Sequence, residues 1–145
     1  MMPERLQRIV DAFRDAPVSL RLPLLLEYAG KLPPLPEGME GSLERVQECQ
    51  TPLFLRAETT SDGCAELHFS APEEAPTTRG FAGVVHEGLS GLPVEQVLAA
   101  PDDFYQAMGL AELISPLRLR GMGAILARVK RQLRTSQPRS GQASG

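Results

Sequence analysis

The residue with the clearest chemical potential in this chain is Cys49, one of only two cysteines. It stands in the segment Glu48-Cys49-Gln50-Thr51, after a stretch rich in proline and glycine and just before a run that alternates like a β-strand. A thiolate on a loop that leads into a rigid strand can be presented to a partner, and it is a strong nucleophile towards sulfur. The same position also suits a buried structural thiol, since free cysteine is among the most buried residue types. The residues alone leave both interpretations open.

A reactive Cys49 would need help from another part of the fold. The neighbouring carboxylate of Glu48 opposes ionisation of the thiol, so a cation or hydrogen-bond donor must come from elsewhere. Arg118, at the start of the last predicted helix, is the candidate, because a helix N-terminus and a guanidinium together favour a thiolate or persulfide anion. The alternative is that Arg118 and Arg120 are solvated charges of a first helical turn.

The remaining cysteine and the two histidines give weaker indications of a chemical role. Cys64 follows the turn signal Asp62-Gly63, which puts it roughly 17–20 Å along a strand from the end that bears Cys49. A disulfide needs Cα atoms within about 7 Å, so we expect two free thiols, with Cys64 a bystander. His68 and His86 lack the close spacing of a zinc site and a serine or aspartate partner, so neither a metal site nor a catalytic histidine is expected.

Composition limits the classes of function. The chain has 145 residues, 42% of them hydrophobic, which suits one globular domain with its own core. The formal net charge of −3 argues against a nucleic-acid surface. No apolar run approaches the roughly 20 residues that span a bilayer, and the N-terminus leads directly into an amphipathic pattern, so we expect a cytoplasmic protein that is not bound to a membrane.

The elements that must position Cys49 form an α+β domain. Leu53, Leu55 and Ala57, followed after Asp62-Gly63 by a second alternating run, predict a β-hairpin, and a third strand is expected near 43–47. Helical spacing predicts two helices before the sheet, the second capped by Ser19. After the sheet it predicts a helix capped by Thr77 or Thr78, two short helical pieces, and a last helix that opens at Ser115-Pro116. The helices are expected to pack on one face of a small antiparallel sheet.

Several of these pieces resemble the SufE family of sulfur-acceptor proteins. The family's usual motif around its cysteine is Gly-Cys-Gln-Ser, then one variable position, then Val-Trp. Cys49-Gln50 keeps the central Cys-Gln pair. A second piece, Ser115-Pro116-Leu117-Arg118, resembles the family's Ser-Pro-Ser-Arg. An acidic residue before the family's Arg-Gly pair falls on Glu74 when counted back from Arg79-Gly80. The similarity extends from the first helix to about residue 134, which implies one SufE-like domain over residues 1–134 with a SufE/IscU-like fold. Residues 135–145 are rich in Ser, Gly and Gln and lack apolar anchors, so a disordered tail is expected there.

The resemblance implies a function in iron–sulfur cluster assembly. Cys49 would accept persulfide sulfur from a separate pyridoxal-phosphate cysteine desulfurase (SufS-like), stimulate it, and pass the sulfur to a scaffold complex (SufBCD-like). On this interpretation the protein is not itself an enzyme and binds no cofactor. Arg118 would stabilise the anionic sulfur, Gln50 would hold the loop by hydrogen bonds, and Glu74 would add a polar contact. The chain would act as a monomer or homodimer.

Two other functions stay open at this point. An acceptor for a different sulfur destination, such as tRNA thiolation, would use the same chemistry at Cys49. A non-catalytic docking module that regulates a partner enzyme would not need the thiol at all. The absence of a CxxC pair or a nearby second cysteine argues against a thiol peroxidase or reductase.

Overall fold

The computed structural model describes residues 2–49 and 51–136. The chain begins with two helices, α1 (Glu4–Asp15) and α2 (Val18–Lys31). A connector with a short 3-10 helix at Glu40–Ser42 leads to three strands: β1 (Glu44–Arg45), β2 (Phe54–Thr59) and β3 (Ala65–Ser70). The remainder is helical: α3 (Pro76–Leu89), α4 (Val94–Ala99), a 3-10 helix at Phe104–Met108, and α5 (Pro116–Thr135).

The three strands form one antiparallel sheet in the order β1-β2-β3. Its buried face alternates as predicted, since Leu55 and Ala57 on β2 and Leu67 and Phe69 on β3 all lie in the core. Gly63 closes the hairpin with a φ of +84°, a backbone conformation that glycine adopts without strain. The predicted third strand is present, although it is only two residues long. The α+β prediction, with a hairpin and a third strand, is therefore confirmed.

Helices cover the buried face of the sheet. α5 packs against β2, and α3 packs against β3 and against both N-terminal helices. The apolar stripe predicted for α5 is buried along its whole length, from Leu119 to Leu133. Gly80 and Gly83 let α3 approach α2 closely, because a Cβ at Gly83 would lie 2.1 Å from the carbonyl oxygen of Tyr28.

Two helix starts differ from the predictions, and prolines explain both. α2 starts at Val18 directly after Pro17, not at Ser19, and it continues through Gly30 to Lys31. α3 starts at Pro76, so Thr77 and Thr78 lie inside its first turn instead of capping it. A proline at or just before the first helical position sets a favourable φ and sacrifices no intrahelical bond, so it competes well with a side-chain cap.

The predicted domain end near residue 134 stays a prediction. α5 ends at Thr135, and residues 137–145, most of the predicted tail, lie outside the described residues. No helix within the described ranges is both long and apolar enough to cross a membrane.

Candidate functional site

Cys49 lies on the loop between β1 and β2, which we call the cysteine loop (residues 46–53). A hydrogen bond from the Val46 N–H to the Leu53 carbonyl, 2.8 Å long, closes the base of this loop. Both side chains at the base are fully buried. The loop therefore leaves the sheet from a rigid base and carries Cys49 near its apex.

The apex of the cysteine loop is held against two helices. The hydroxyls of Thr51 and Thr78 are 2.5 Å apart, which ties the loop to α3. The Cys49 thiol points at α5, with Sγ 4.0 Å from the carbonyl oxygen of Gly121. Gly121 permits this approach, because a Cβ there would lie 3.2 Å from Sγ. Cys49 is consequently buried, with 8% of its surface exposed.

These surroundings keep the thiol protonated. Burial, and after it the negative charge of Glu48, raise the pKa of Cys49 to about 11, while the positive charge of Arg128 acts in the opposite direction. A free cysteine has a pKa of about 8.5. In this conformation the thiol is thus much less nucleophilic than a free one at neutral pH.

Arg128 on α5 forms an ion pair with the cysteine loop. It donates to the Glu48 carboxylate at 3.0–3.1 Å and also bonds the carboxylate of Glu44 on β1. Glu44 receives further bonds from Arg131 and Gln132. Burial alone would raise the pKa of Glu44, but the bonds from these three donors lower it below its usual value. Burial would lower the pKa of Arg128, but its bonds and charge contacts with the two carboxylates raise it.

The thiol also borders a small cavity of about 10 Å³. Arg118 lines this cavity, so the structure brings Cys49 and Arg118 to one place. The other lining residues are Glu48, Thr51, Thr78 and Phe81. The volume holds about one water-sized sphere, which leaves little free room beside Sγ in the closed loop.

The other residues singled out by the sequence are more distant or not described. Gln50 lies outside the described residues. Glu74 is exposed in the turn before α3 and does not line the Cys49 cavity. Cys64 is a free thiol like Cys49, but it borders a separate surface pocket of about 790 Å³ together with His86.

One group within the described residues has the composition of a metal site. Potential ligand atoms of Glu58, Glu66 and His68 lie within 4.8 Å of one another on the outer face of the hairpin. Sequence spacing did not indicate this group, because the pairing of Glu58 with Glu66 across the strands creates it. Arg56 already pairs with Glu58 at 3.0 Å, so this carboxylate has a counter-charge of its own.

Sequence reasoning missed Arg128, Thr78 and Phe81 as neighbours of the thiol. Arg128 lies 80 residues from its partner Glu48, and no local pattern links them. Thr78 was considered only as a helix cap. Gly121 was the one available signal, because a glycine inside an amphipathic helix often marks a close contact.

Comparison with known proteins assigns most of this chain to a family. The profile of the family described as "SufE: Fe-S metabolism associated domain" matches residues 7–133. An uncharacterized SufE-like protein of Mycobacterium tuberculosis (strain H37Rv) is 52% identical over 134 residues, covering 92% of this chain and 94% of that protein. A protein named cysteine desulfuration protein SufE, from Plasmodium vivax, is 25% identical over 69% of this chain and 40% of its own length.

A solved structure supports the same assignment. The solution structure of a hypothetical protein from Thermus thermophilus superposes with a TM-score of 0.85 at 46% sequence identity, covering 94% of this chain and 98% of that one. The family profile covers most of the chain, and the Mycobacterium tuberculosis and Thermus thermophilus proteins match it over nearly their full lengths. This chain belongs to the SufE family.

Proposed function

We propose that this protein accepts sulfur from a cysteine desulfurase on Cys49 and passes it on for iron–sulfur cluster assembly. The observation that carries the proposal is the cysteine loop itself, which presents one thiol at its apex between the two tethers Glu48–Arg128 and Thr51–Thr78. Membership of the SufE family, and the name of the Plasmodium vivax relative, support a cysteine desulfurase as the partner. The scaffold complex that would receive the sulfur, and a cytoplasmic location, stay predictions.

The chemistry is an exchange at sulfur. Cys49 loses its proton, and the thiolate attacks the outer sulfur of a persulfide on the desulfurase cysteine. The bond between the two sulfurs of the desulfurase persulfide breaks, a new one forms at Cys49, and the desulfurase cysteine leaves as a thiolate. The outer sulfur keeps its oxidation state, so no external oxidant or reductant is needed. The protein needs no cofactor of its own for this step.

The roles proposed for the other site residues depend on where each lies relative to Cys49. Arg118 borders the cavity beside Cys49, where its charge would stabilise the persulfide anion. Gln50 and Glu74 stay predictions from the family resemblance, because the first is not described and the second does not line the cavity.

One observation favours a second candidate function. The thiol is buried, its pKa is raised to about 11, and a docking module that regulates a desulfurase without accepting sulfur would tolerate both. The two functions differ in whether Cys49 is required.

Intact-mass spectrometry after incubation with a cysteine desulfurase and free cysteine separates them. We expect wild type and Cys64→Ser to gain one sulfur atom that a reductant removes, and Cys49→Ser to gain none. Cys64→Ser is the matched control, since it removes the other free thiol by the same substitution. A gain that survives in Cys49→Ser would refute the acceptor role, and binding to the desulfurase without a gain in any variant would establish the docking module.

A further inference from the structure

Arg128 joins the cysteine loop to the body of the protein. Its guanidinium lies on α5 with 20% of the side chain exposed, and it contacts both Glu48 on the loop and Glu44 on β1. It also donates to the backbone carbonyl of Arg45 at 3.4 Å. Arg128 therefore contacts β1 and the cysteine loop together.

The two carboxylates do not depend on Arg128 equally. Glu44 keeps bonds from Arg131 and Gln132 on the same helix, so β1 stays attached to α5 without Arg128. Among the described residues, the side chain of Glu48 bonds only Arg128. Removal of this pair would loosen the Glu48 side of the loop, leave the Thr51–Thr78 contact as the tether to α3, and leave β1 in place.

The pair also controls the charge near the thiol. Glu48 opposes ionisation of Cys49 and Arg128 favours it, so the two charges act on the sulfur in opposite directions, with Glu48 having the larger effect. Moving Glu48 away would leave Arg128 as the dominant charge at the sulfur. About half of the Glu48 side chain is exposed, so an approaching partner can reach it.

We propose that Arg128 is a positioning residue of the sulfur site, which holds the cysteine loop closed through Glu48 and favours the Cys49 anion once that contact opens. This proposal rests on the proposed function for its biological meaning and assigns to one ion pair the attachment of the loop to α5 on its Glu48 side. The proposal gives the two arginines different roles, since Arg118 borders the cavity and Arg128 holds the loop.

Alkylation of Cys49 by iodoacetamide tests the proposal on the full chain without any desulfurase. A Cys64→Ser background leaves one thiol, and rates are measured from about pH 7 to about pH 12, so that the profile passes the raised pKa of Cys49. Glu48→Gln should accelerate alkylation near neutral pH about two- to fivefold, as expected for loss of a partly exposed ion pair. It should also lower the midpoint of the pH profile by roughly 0.5 to 1 unit, because the negative charge is gone and the positive one remains.

Arg128→Gln makes the opposite electrostatic change. It also breaks the tether and should accelerate alkylation at high pH, where thiolate is plentiful, but its midpoint should lie above that of Glu48→Gln. Arg128→Lys keeps the charge and should restore a midpoint close to that of wild type. Arg131→Gln is the matched control, because Arg131 bonds Glu44 and not Glu48, and it should behave like wild type.

Three results would overturn the proposal. They are unchanged rates in both Glu48→Gln and Arg128→Gln, equal midpoints in those two variants, and acceleration in Arg131→Gln as large as in Arg128→Gln. Circular dichroism on each variant confirms that the fold is retained. Failure of sulfur transfer alongside the expected alkylation pattern would refute the proposed function and leave the ion-pair tether standing.

Discussion

Arg118 and Arg128 both lie near the Cys49 thiol, and they differ in their bonding. Arg128 is bound by two carboxylates, whereas the exposed side chain of Arg118 has no hydrogen bond or ion pair with the described residues. With a pKa of about 11, roughly one Cys49 in a thousand is ionised near pH 8. The proposed acceptance of sulfur at neutral pH would be faster after a change of surroundings, and the unpaired guanidinium of Arg118 at the cavity would assist it if the loop opens.

Replacement of Arg118 should affect the rate of transfer and not the docking. We expect Arg118→Ala to slow single-turnover sulfur transfer from a persulfidated desulfurase about two- to fivefold, since a solvent-screened charge contributes modestly. Binding to the desulfurase, measured by calorimetry, should stay close to that of wild type. Arg120→Ala is the control, because Arg120 is also exposed on the same helix and does not line the cavity. Wild-type transfer rates in Arg118→Ala would remove this residue from the site.

At the level of the elements, short sequence patterns correctly predicted the turns and helix caps that depend only on neighbouring residues. Asp62-Gly63 predicted the hairpin turn, and Ser115 caps α5 by accepting a hydrogen bond from the Arg118 N–H, as the Ser115-Pro116 pair indicated. The helix starts directly after Pro17 and at Pro76 were missed because two valid start signals competed within three residues. The tether between Glu48 and Arg128 was beyond sequence reasoning, because it depends on how α5 packs against β2 and β1.

The close contact between α2 and α3 depends on glycines, so replacing a glycine at this contact should change the free energy of unfolding. Gly83→Ala should lower the free energy of unfolding by about 1–3 kcal/mol, because its Cβ would overlap the backbone of Tyr28 and force the helices apart. Gly30→Ala, in α2 with no atom near the new methyl group, should raise it by up to about 1 kcal/mol through helix propensity.

Urea unfolding of both variants measures these changes. The substitution is the same and both sites are helical, so the difference between them isolates the close approach of the two helices. Equal effects in the same direction would contradict the packing argument.

For the whole molecule, the closed cysteine loop links chemistry to stability. The folded protein holds the Cys49 proton up to about pH 11, whereas the unfolded chain releases it near the ordinary thiol pKa of about 8.5. Between these values the unfolded state binds fewer protons than the folded state, so the free energy of unfolding falls as the pH rises. Below about pH 8 both states keep the proton, and Cys49 adds no pH dependence there.

This difference predicts a specific loss of stability in alkali. From about pH 8.5 to about pH 11, wild type should lose about 1–2 kcal/mol more than Cys49→Ala, after allowance for solvent near the loop. The alanine variant also lacks the packing of the sulfur, but that cost is the same at every pH and cancels in the comparison. Urea unfolding at a series of pH values measures the two curves, and titration of tyrosine and lysine side chains affects both alike. Curves that stay parallel up to about pH 11 would mean that the folded protein does not suppress ionisation of Cys49. The thiol would then ionise in the closed loop about as readily as in the unfolded chain.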